Sequence, residues 1–409
     1  MAKRAPTAAP TPDVVRERLF SLPKRFRSST VDGLSAEWEL RIGRQVFSIQ
    51  VGDHRCIVAE GPGTAPHTTI WVDPATWLAI DEGILTGPQA YMDRRLDLAG
   101  NLDLAVRLQT LFRPWHRARR AGDLDQMEVE ADGVRLSAYR LGRGRPVLLL
   151  HGLGATKISW VPLLGPLSDR HQLVVPDLPG HGESEKPRVD YTPRFYARVV
   201  RHLMDELEIE RALVVGNSMG GRVALELALR SPNRVAALAL LDPAVPGLRW
   251  RYLMGFTRVV PTEFGAIPFP LRERWMRTML SRVFAHPERM GKAAIALAAK
   301  DFLRVYADGG ARMAFLSSLR HLVVESPDAF WASMRRVKQP ALVVVGTGDR
   351  IVPSRLGMKL AEELSHGELL LLDDCGHVPQ FEALDEILEP LLSFLDSVPK
   401  APKARTRQA

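Results

Sequence analysis

Phe47, Ile49 and Val51 alternate with polar positions in RQVFSIQVG, and the neighbouring WELRIG and RCIVAEG read as strands of the same kind. Gly43 and Gly52-Asp53 fall where those strands must turn. Ahead of them, the amphipathic stretch from Val14 to Phe20 predicts a helix. A fourth strand, HTTIWVD, leads into PATWLAIDEGIL, where Pro74 stands at a helix start and apolar residues take helical spacing. LDLAGNLDLAVRLQTLF closes the segment, and its Leu102, Val106 and Leu108–Leu111 suit one face of a final helix. Strands followed by helices predict an α+β domain of about 100 residues.

Apolar periodicity stops in RPWHRARRAGDLD, residues 113–125, and a different grammar follows. MEVEADGVRLSAYRLG alternates as a hairpin does. Continuous apolar runs come next at PVLLL (146–150), QLVVP (172–176), ALVVG (212–216), VAALALL (235–241), ALVVVG (341–346) and ELLLLD (368–373). Runs without alternation mark strands buried on both faces, and helical segments such as TPRFYARVVRHLMDELEI separate most of them. This half is therefore expected to be α/β, a doubly wound and largely parallel sheet, with active groups where strands end and helices begin.

Composition changes this picture little. The chain has 409 residues, 46% hydrophobic and 25% charged, as ordinary globular proteins do. No window approaches the roughly 18 apolar residues of a membrane span, and no apolar run follows Lys3 and Arg4, so a cytoplasmic location is expected. Cys56 and Cys375 are too far apart in sequence to suggest a disulfide framework. The net charge of +8 would suggest nucleic acid, yet the tails hold six of those charges: Lys3, Arg4, Lys400, Lys403, Arg405 and Arg407. Residues 1–13 and 399–409 are read as disordered, with a linker at 116–126 between the domains. No nucleic-acid partner is expected; a weak contact with an anionic membrane surface is the most the charge implies. No metal-ligand spacing or nucleotide cradle is present, and no cofactor is expected.

Residues 68–112 carry a strand, an aromatic helix ending in Glu82-Gly83, a Gln89-Ala90-Tyr91-Met92 helix, a short strand with Leu96, Leu98 and Gly100, and a Leu-rich last helix. In this the segment 14–115 resembles the sterol carrier protein type 2 family. The resemblance implies a small α+β domain whose apolar tunnel would hold a sterol or fatty acyl ligand without doing chemistry. Trp71, Trp77, Phe47 and Leu85 would either border such a tunnel or simply fill the core.

Gly216-Asn217-Ser218-Met219-Gly220 stands between the strand ending in Val215 and the next helix. A hydroxyl at the tip of so tight a turn requires a strained serine and neighbours without a Cβ. His151-Gly152-Leu153-Gly154 follows PVLLL, Asp349 ends the strand ALVVVGTGD 131 residues after Ser218, and His377 lies 28 residues further on. In these motifs residues 127–398 resemble the α/β-hydrolase family, with a lid at 245–336. The resemblance implies a nucleophile Ser218, a base His377 oriented by Asp349, and oxyanion donors at the N–H groups of Leu153 and Met219. His151, Asn217 and Val378 are candidates for the rim of the substrate site. Asp177, in PDLPGHGESEKP, reads as a structural turn residue, and Asp242 is a second candidate acid.

The lid is rich in aromatic residues and methionine, so Trp250, Phe256, Phe264, Trp275, Met276 and Met279 could form an apolar acyl pocket. The expected activity is hydrolysis of carboxylic esters with hydrophobic, lipid-like substrates, the N-terminal domain capturing or presenting the lipid. GNSMGG with HGLGA-x-x-x-SW also resembles hydrolases that cleave carbon–carbon bonds of ring-cleavage products, although Val378 replaces the Trp those proteins usually carry. A non-catalytic lipid carrier or receptor is the third reading.

Overall fold

Each domain predicted from the strand pattern builds its own sheet. The structure is a computed structural model that describes residues 12–27, 34–82, 85, 87–92, 94–112, 115, 124–246, 272–290, 292–324 and 326–399. Most of both tails and of the linker, and Trp250, Phe256 and Phe264 of the lid, lie outside the described residues. The first sheet comprises β1 Ala36–Ile42, β2 Gln45–Gly52, β3 Arg55–Glu60, β4 Thr68–Val72 and β5 Leu96–Gly100, in the order β3-β2-β1-β4-β5. β1 runs parallel to β4, and the other pairs are antiparallel. Helices α1 Pro12–Phe20, α2 Leu22–Arg25, α3 Pro74–Asp81, α4 Gly87–Met92 and α5 Leu102–Leu108 accompany it. Asp73 caps α3 by accepting from the N–H groups of Ala75 and Thr76, and Pro74 fills the first turn, where no N–H is needed. Phe47, Trp77 and Leu85 are buried in this domain's core, while Trp71 is exposed.

Helix α5 departs from the single apolar face expected of it. Leu104 and Leu108 join the N-terminal core, whereas Leu102 and Val106 pack into the core of the second domain. Each pair is separated by four positions, so each marks its own side of the helix. The helix is shared because both domains offer it apolar surface, which the sequence of one segment does not reveal.

The second sheet holds β6 Asp125–Ala131, β7 Val134–Gly142, β8 Arg145–Leu150, β9 His171–Pro176, β10 Ala212–Asn217, β11 Val235–Leu241, β12 Ala341–Gly346 and β13 Gly367–Leu372. Its order is β13-β12-β11-β10-β8-β9-β7-β6, parallel from β13 to β9 and antiparallel across β7 and β6. Successive residues of the apolar runs serve opposite faces. Val147, Leu149, Val215 and Val344 pack on one side with α6 Val161–Ser168, and Leu148, Leu150, Val214 and Val343 on the other with α7 Pro193–Glu206 and α8 Met219–Arg230. That is why these strands read as unbroken hydrophobic sequence. Between β11 and β12 the described lid consists of α9 Glu273–Ser281, α10 Pro287–Met290, α11 Lys292–Val305, α12 Gly309–Val324 and α13 Pro327–Met334. α14 Ser354–Glu363, α15 Pro379–Glu382 and α16 Leu384–Ser397 complete the chain, and no helix among the described residues is long and apolar enough to cross a membrane.

Candidate active site

Ser218 follows β10 at φ +52°, a conformation that costs a non-glycine residue free energy and persists only where its surroundings impose it. Two close approaches impose it here. A Cβ at Gly216 would come 2.5 Å from the carbonyl carbon of Gly220, and one at Gly220 would overlap the carbonyl oxygen of Leu150 at the end of β8. Strand, turn and helix can therefore stack this tightly only with glycine at both places. A Cβ at Gly152 would lie 3.3 Å from that of Ser218, so the loop after β8 passes directly beside the serine. The N–H groups of Leu153 and Met219 have no protein acceptor among the described residues.

His377 and Asp349 arrive from the ends of two further strands. His377 Nδ1–H donates to Asp349 Oδ2 at 2.7 Å, and the other carboxylate oxygen accepts from the N–H groups of Ile351 at 2.7 Å and Val352 at 3.0 Å. With Nδ1 so engaged, Nε2 is the nitrogen left for proton transfer. No hydrogen bond joins the Ser218 hydroxyl to the imidazole among the described residues, as is common in structures without substrate. Asn217 ties the two segments together, its Nδ2 donating to the backbone oxygens of both His377 and Leu241, at 3.0 Å each. His377 is also held from the lid side, its N–H donating to Val283 O at 2.8 Å. Glu382 accepts from the N–H groups of Gly376 and of Ala285 in the lid; nothing in the sequence pattern marks this residue.

Geometry separates the two candidate acids. Asp242 is buried at the end of β11 and accepts from the Gly346 N–H at 3.0 Å. Burial, then the adjacent Asp349 carboxylate, pushes its carboxyl well above the ordinary range. Asp349, and not Asp242, is the carboxyl that touches the imidazole.

The remaining candidates divide. His151 is buried with both ring nitrogens occupied: Nδ1–H donates to Gly152 O and Nε2 accepts from the Leu178 N–H. It and Asn217 brace the backbone. Val378 is half-buried just after His377. Met276 is buried in the lid, whereas Trp275 and Met279 are 65% and 53% exposed. Among the described lid residues, Phe302 and Phe315 reach the loop beside the serine, and a Cβ on Gly154 would meet them at 3.1 and 3.3 Å. Asp177 accepts from the N–H groups of Lys157 and Glu183 and holds the turn together. Cys375 is buried and donates to Gly376 O, and its surroundings hold the thiol protonated.

His181, packed edge-on against His151, is held down to about 3, first by burial and then by that neighbour. A depressed histidine adds stability that is complete above its unfolded value of 6.5 and is lost as the pH falls toward the folded one. The contribution missing at pH 5 should be about 2 kcal/mol. His181→Gln should accordingly lose less melting temperature than the parent between neutral pH and pH 5, measured by calorimetry.

Comparison with known proteins agrees with this architecture. The chain belongs to the alpha/beta hydrolase fold family, whose model matches residues 145–384. Residues 23–113 match the SCP-2 sterol transfer family. A dihydrolipoyllysine-residue acetyltransferase component of an acetoin cleaving system from Pseudomonas putida is 30% identical over 274 residues, 66% of this chain and 68% of that one. A 2-hydroxymuconate semialdehyde hydrolase from Pseudomonas sp. strain CF600 is 29% identical over 264 residues, 62% of this chain and 88% of that one. Among solved structures, the enol-lactonase from Burkholderia xenovorans LB400 superposes with a TM-score of 0.56 at 25% identity, over 66% of this chain and all of its own.

Proposed function

We propose that this chain is a serine hydrolase of carboxylic esters with hydrophobic acyl groups, whose N-terminal domain binds and presents a lipid-like ligand. The observation that carries the proposal is the 2.7 Å contact of His377 with Asp349 beside a serine held at φ +52°. Ser218 Oγ attacks the ester carbonyl carbon as its proton passes to His377 Nε2, and Asp349 balances the imidazolium that forms. The carbonyl oxygen becomes an oxyanion facing the N–H groups of Leu153 and Met219, the second at the N-terminus of α8. Collapse expels the alcohol, which takes the proton from Nε2. Water then attacks the acyl-serine, gives a proton to the same nitrogen, and the acid leaves as Ser218 recovers its hydrogen. One ester and one water become one acid and one alcohol.

Phe302 and Phe315, over the loop beside Ser218, support an apolar acyl side to this site. The SCP-2 match supports a lipid ligand for the N-terminal domain. A second reading, cleavage of a carbon–carbon bond in a ring-cleavage product, draws support from the Pseudomonas semialdehyde hydrolase. A panel of nitrophenyl esters from acetyl to palmitoyl, run beside a ring-cleavage dienoate, tests the choice. Ester turnover rising with chain length is expected; preference for the dienoate would replace the first reading with the second. Mass spectrometry of the purified chain should find a retained lipid, and protein free of lipid that binds none on titration would remove the role given to the N-terminal domain.

A further inference from the structure

Helix α5 has a third side. Asp103 and Arg107, also four positions apart, leave the N-terminal domain and enter a buried cluster of charges in the hydrolase domain. Its centre is Lys157, only 1% exposed, whose ammonium lies 2.7 Å from Asp177, 2.9 Å from Glu183 and 3.6 Å from Asp103. Arg107 pairs with Glu183, and the hydroxyl of Tyr139 donates to Asp103 at 2.8 Å. The proposed mechanism uses none of these groups, and a buried ammonium is costly unless its partners are in place.

Lys157 ends the loop that begins at His151. Its own N–H donates to Asp177 Oδ1 at 2.7 Å, so one residue fixes the loop through both backbone and side chain. Between the two anchors, the backbone hydrogen bond described within the loop runs from Ala155 N–H to Gly152 O at 3.2 Å, and Gly154 sits at φ +81°. A loop with so little internal bonding takes its position from its ends. One end, His151, is braced by Leu178 of its own domain. The other, Lys157, is held by Asp177 and Glu183 of its own domain and, at 3.6 Å, by the Asp103 carboxyl of the neighbouring domain.

We propose that Asp103 and Lys157 are positioning residues: through them the N-terminal domain holds the 152–156 loop so that the Leu153 N–H faces the oxygen of the reacting carbonyl. The inference rests on the oxyanion role given to Leu153 above. It makes the N-terminal domain part of the apparatus that sets the hydrolytic rate, in addition to any lipid it carries. Loss of a preorganised donor lowers the rate without altering how the rest of the substrate binds, so the signature is a fall in kcat at nearly constant KM.

The test uses the full chain with nitrophenyl butyrate and, independently, the rate at which a fluorophosphonate labels Ser218. Asp103→Ala should lower kcat and the labelling rate by about 10- to 100-fold, part of the 10²–10³ that an absent donor costs. KM should stay within about twofold. Asp103→Asn keeps an oxygen for Tyr139 and Lys157 and should recover to within about threefold of the parent. Tyr139→Phe, which preserves the buried ring whether or not Asp103→Ala folds, should lose about fivefold in kcat. In a double-mutant cycle, Asp103→Ala should add little to Lys157→Met. Parental kcat in Asp103→Ala or Tyr139→Phe, a change confined to KM, or additive losses in the cycle would overturn the inference while leaving the hydrolase reading intact. A parent chain that neither labels at Ser218 nor turns over ester would overturn both.

Discussion

Ser218→Ala should abolish the proposed ester turnover, with kcat falling by on the order of 10⁴ to 10⁶ while the fold is kept. The loss is large because the hydroxyl supplies the bond that splits one difficult displacement into two easier ones, and no neighbouring group takes its place. The fold is kept because the side chain carries no hydrogen bond among the described residues, and because the strain at this position belongs to the backbone. Alanine removes an oxygen and leaves Gly216 and Gly220 to make the same close approaches. Steady-state rates with nitrophenyl esters, together with circular dichroism and melting temperature, check both halves. Turnover surviving within tenfold of the parent would sink the mechanism.

Asp349→Asn should lower kcat by about 10⁴, whereas Asp242→Asn should stay within about threefold. The asymmetry follows from which carboxyl touches the imidazole. Asp349 accepts the Nδ1–H of His377 at 2.7 Å. An asparagine there can turn its NH₂ toward Nδ1, which favours the tautomer with hydrogen on Nε2, where the serine proton must arrive. Burial and the adjacent Asp349 carboxyl favour the neutral form of Asp242, and asparagine is neutral and of nearly the same shape. A pH–rate profile for each variant, with kcat and KM resolved, provides the check. An Asp242→Asn variant as impaired as Asp349→Asn would show that the two carboxyls act as one unit.

Much of the proposed site could be read from the chain. Gly-x-Ser-x-Gly between a buried strand and a helix, an acid after a later strand, and a histidine after the last one are local signals, because each needs only its own strand and turn. The structure places all three where those strands end along one edge of the sheet. The N-terminal sheet was legible for a similar reason: alternation in β1 and β2 and the Asp73-Pro74 helix start are short-range features. Spacing did not reveal which lid residues would meet the site. Trp275 and Met279 look like pocket residues by composition and are largely exposed, while Phe302 and Phe315 approach Gly154. A helical lid has apolar positions on more than one side, and only its docking decides which side is inward. Helix α5 gives the same lesson, since three pairs at the same four-residue spacing serve three surroundings.

The sequence by itself determined two domains, a largely parallel sheet buried on both faces, and a serine forced into a strained turn by the glycines around it. Those follow from periodicity and from the space that a Cβ occupies. Only the tertiary structure decided that Asp349 rather than Asp242 meets the imidazole, that Glu382 ties the histidine loop to the lid, and that Asp103 of one domain joins Asp177 and Glu183 around Lys157 of the other. Each of these joins groups far apart along the chain, and a buried charge or polar group is satisfied by whatever the packed fold brings beside it, which no local pattern encodes.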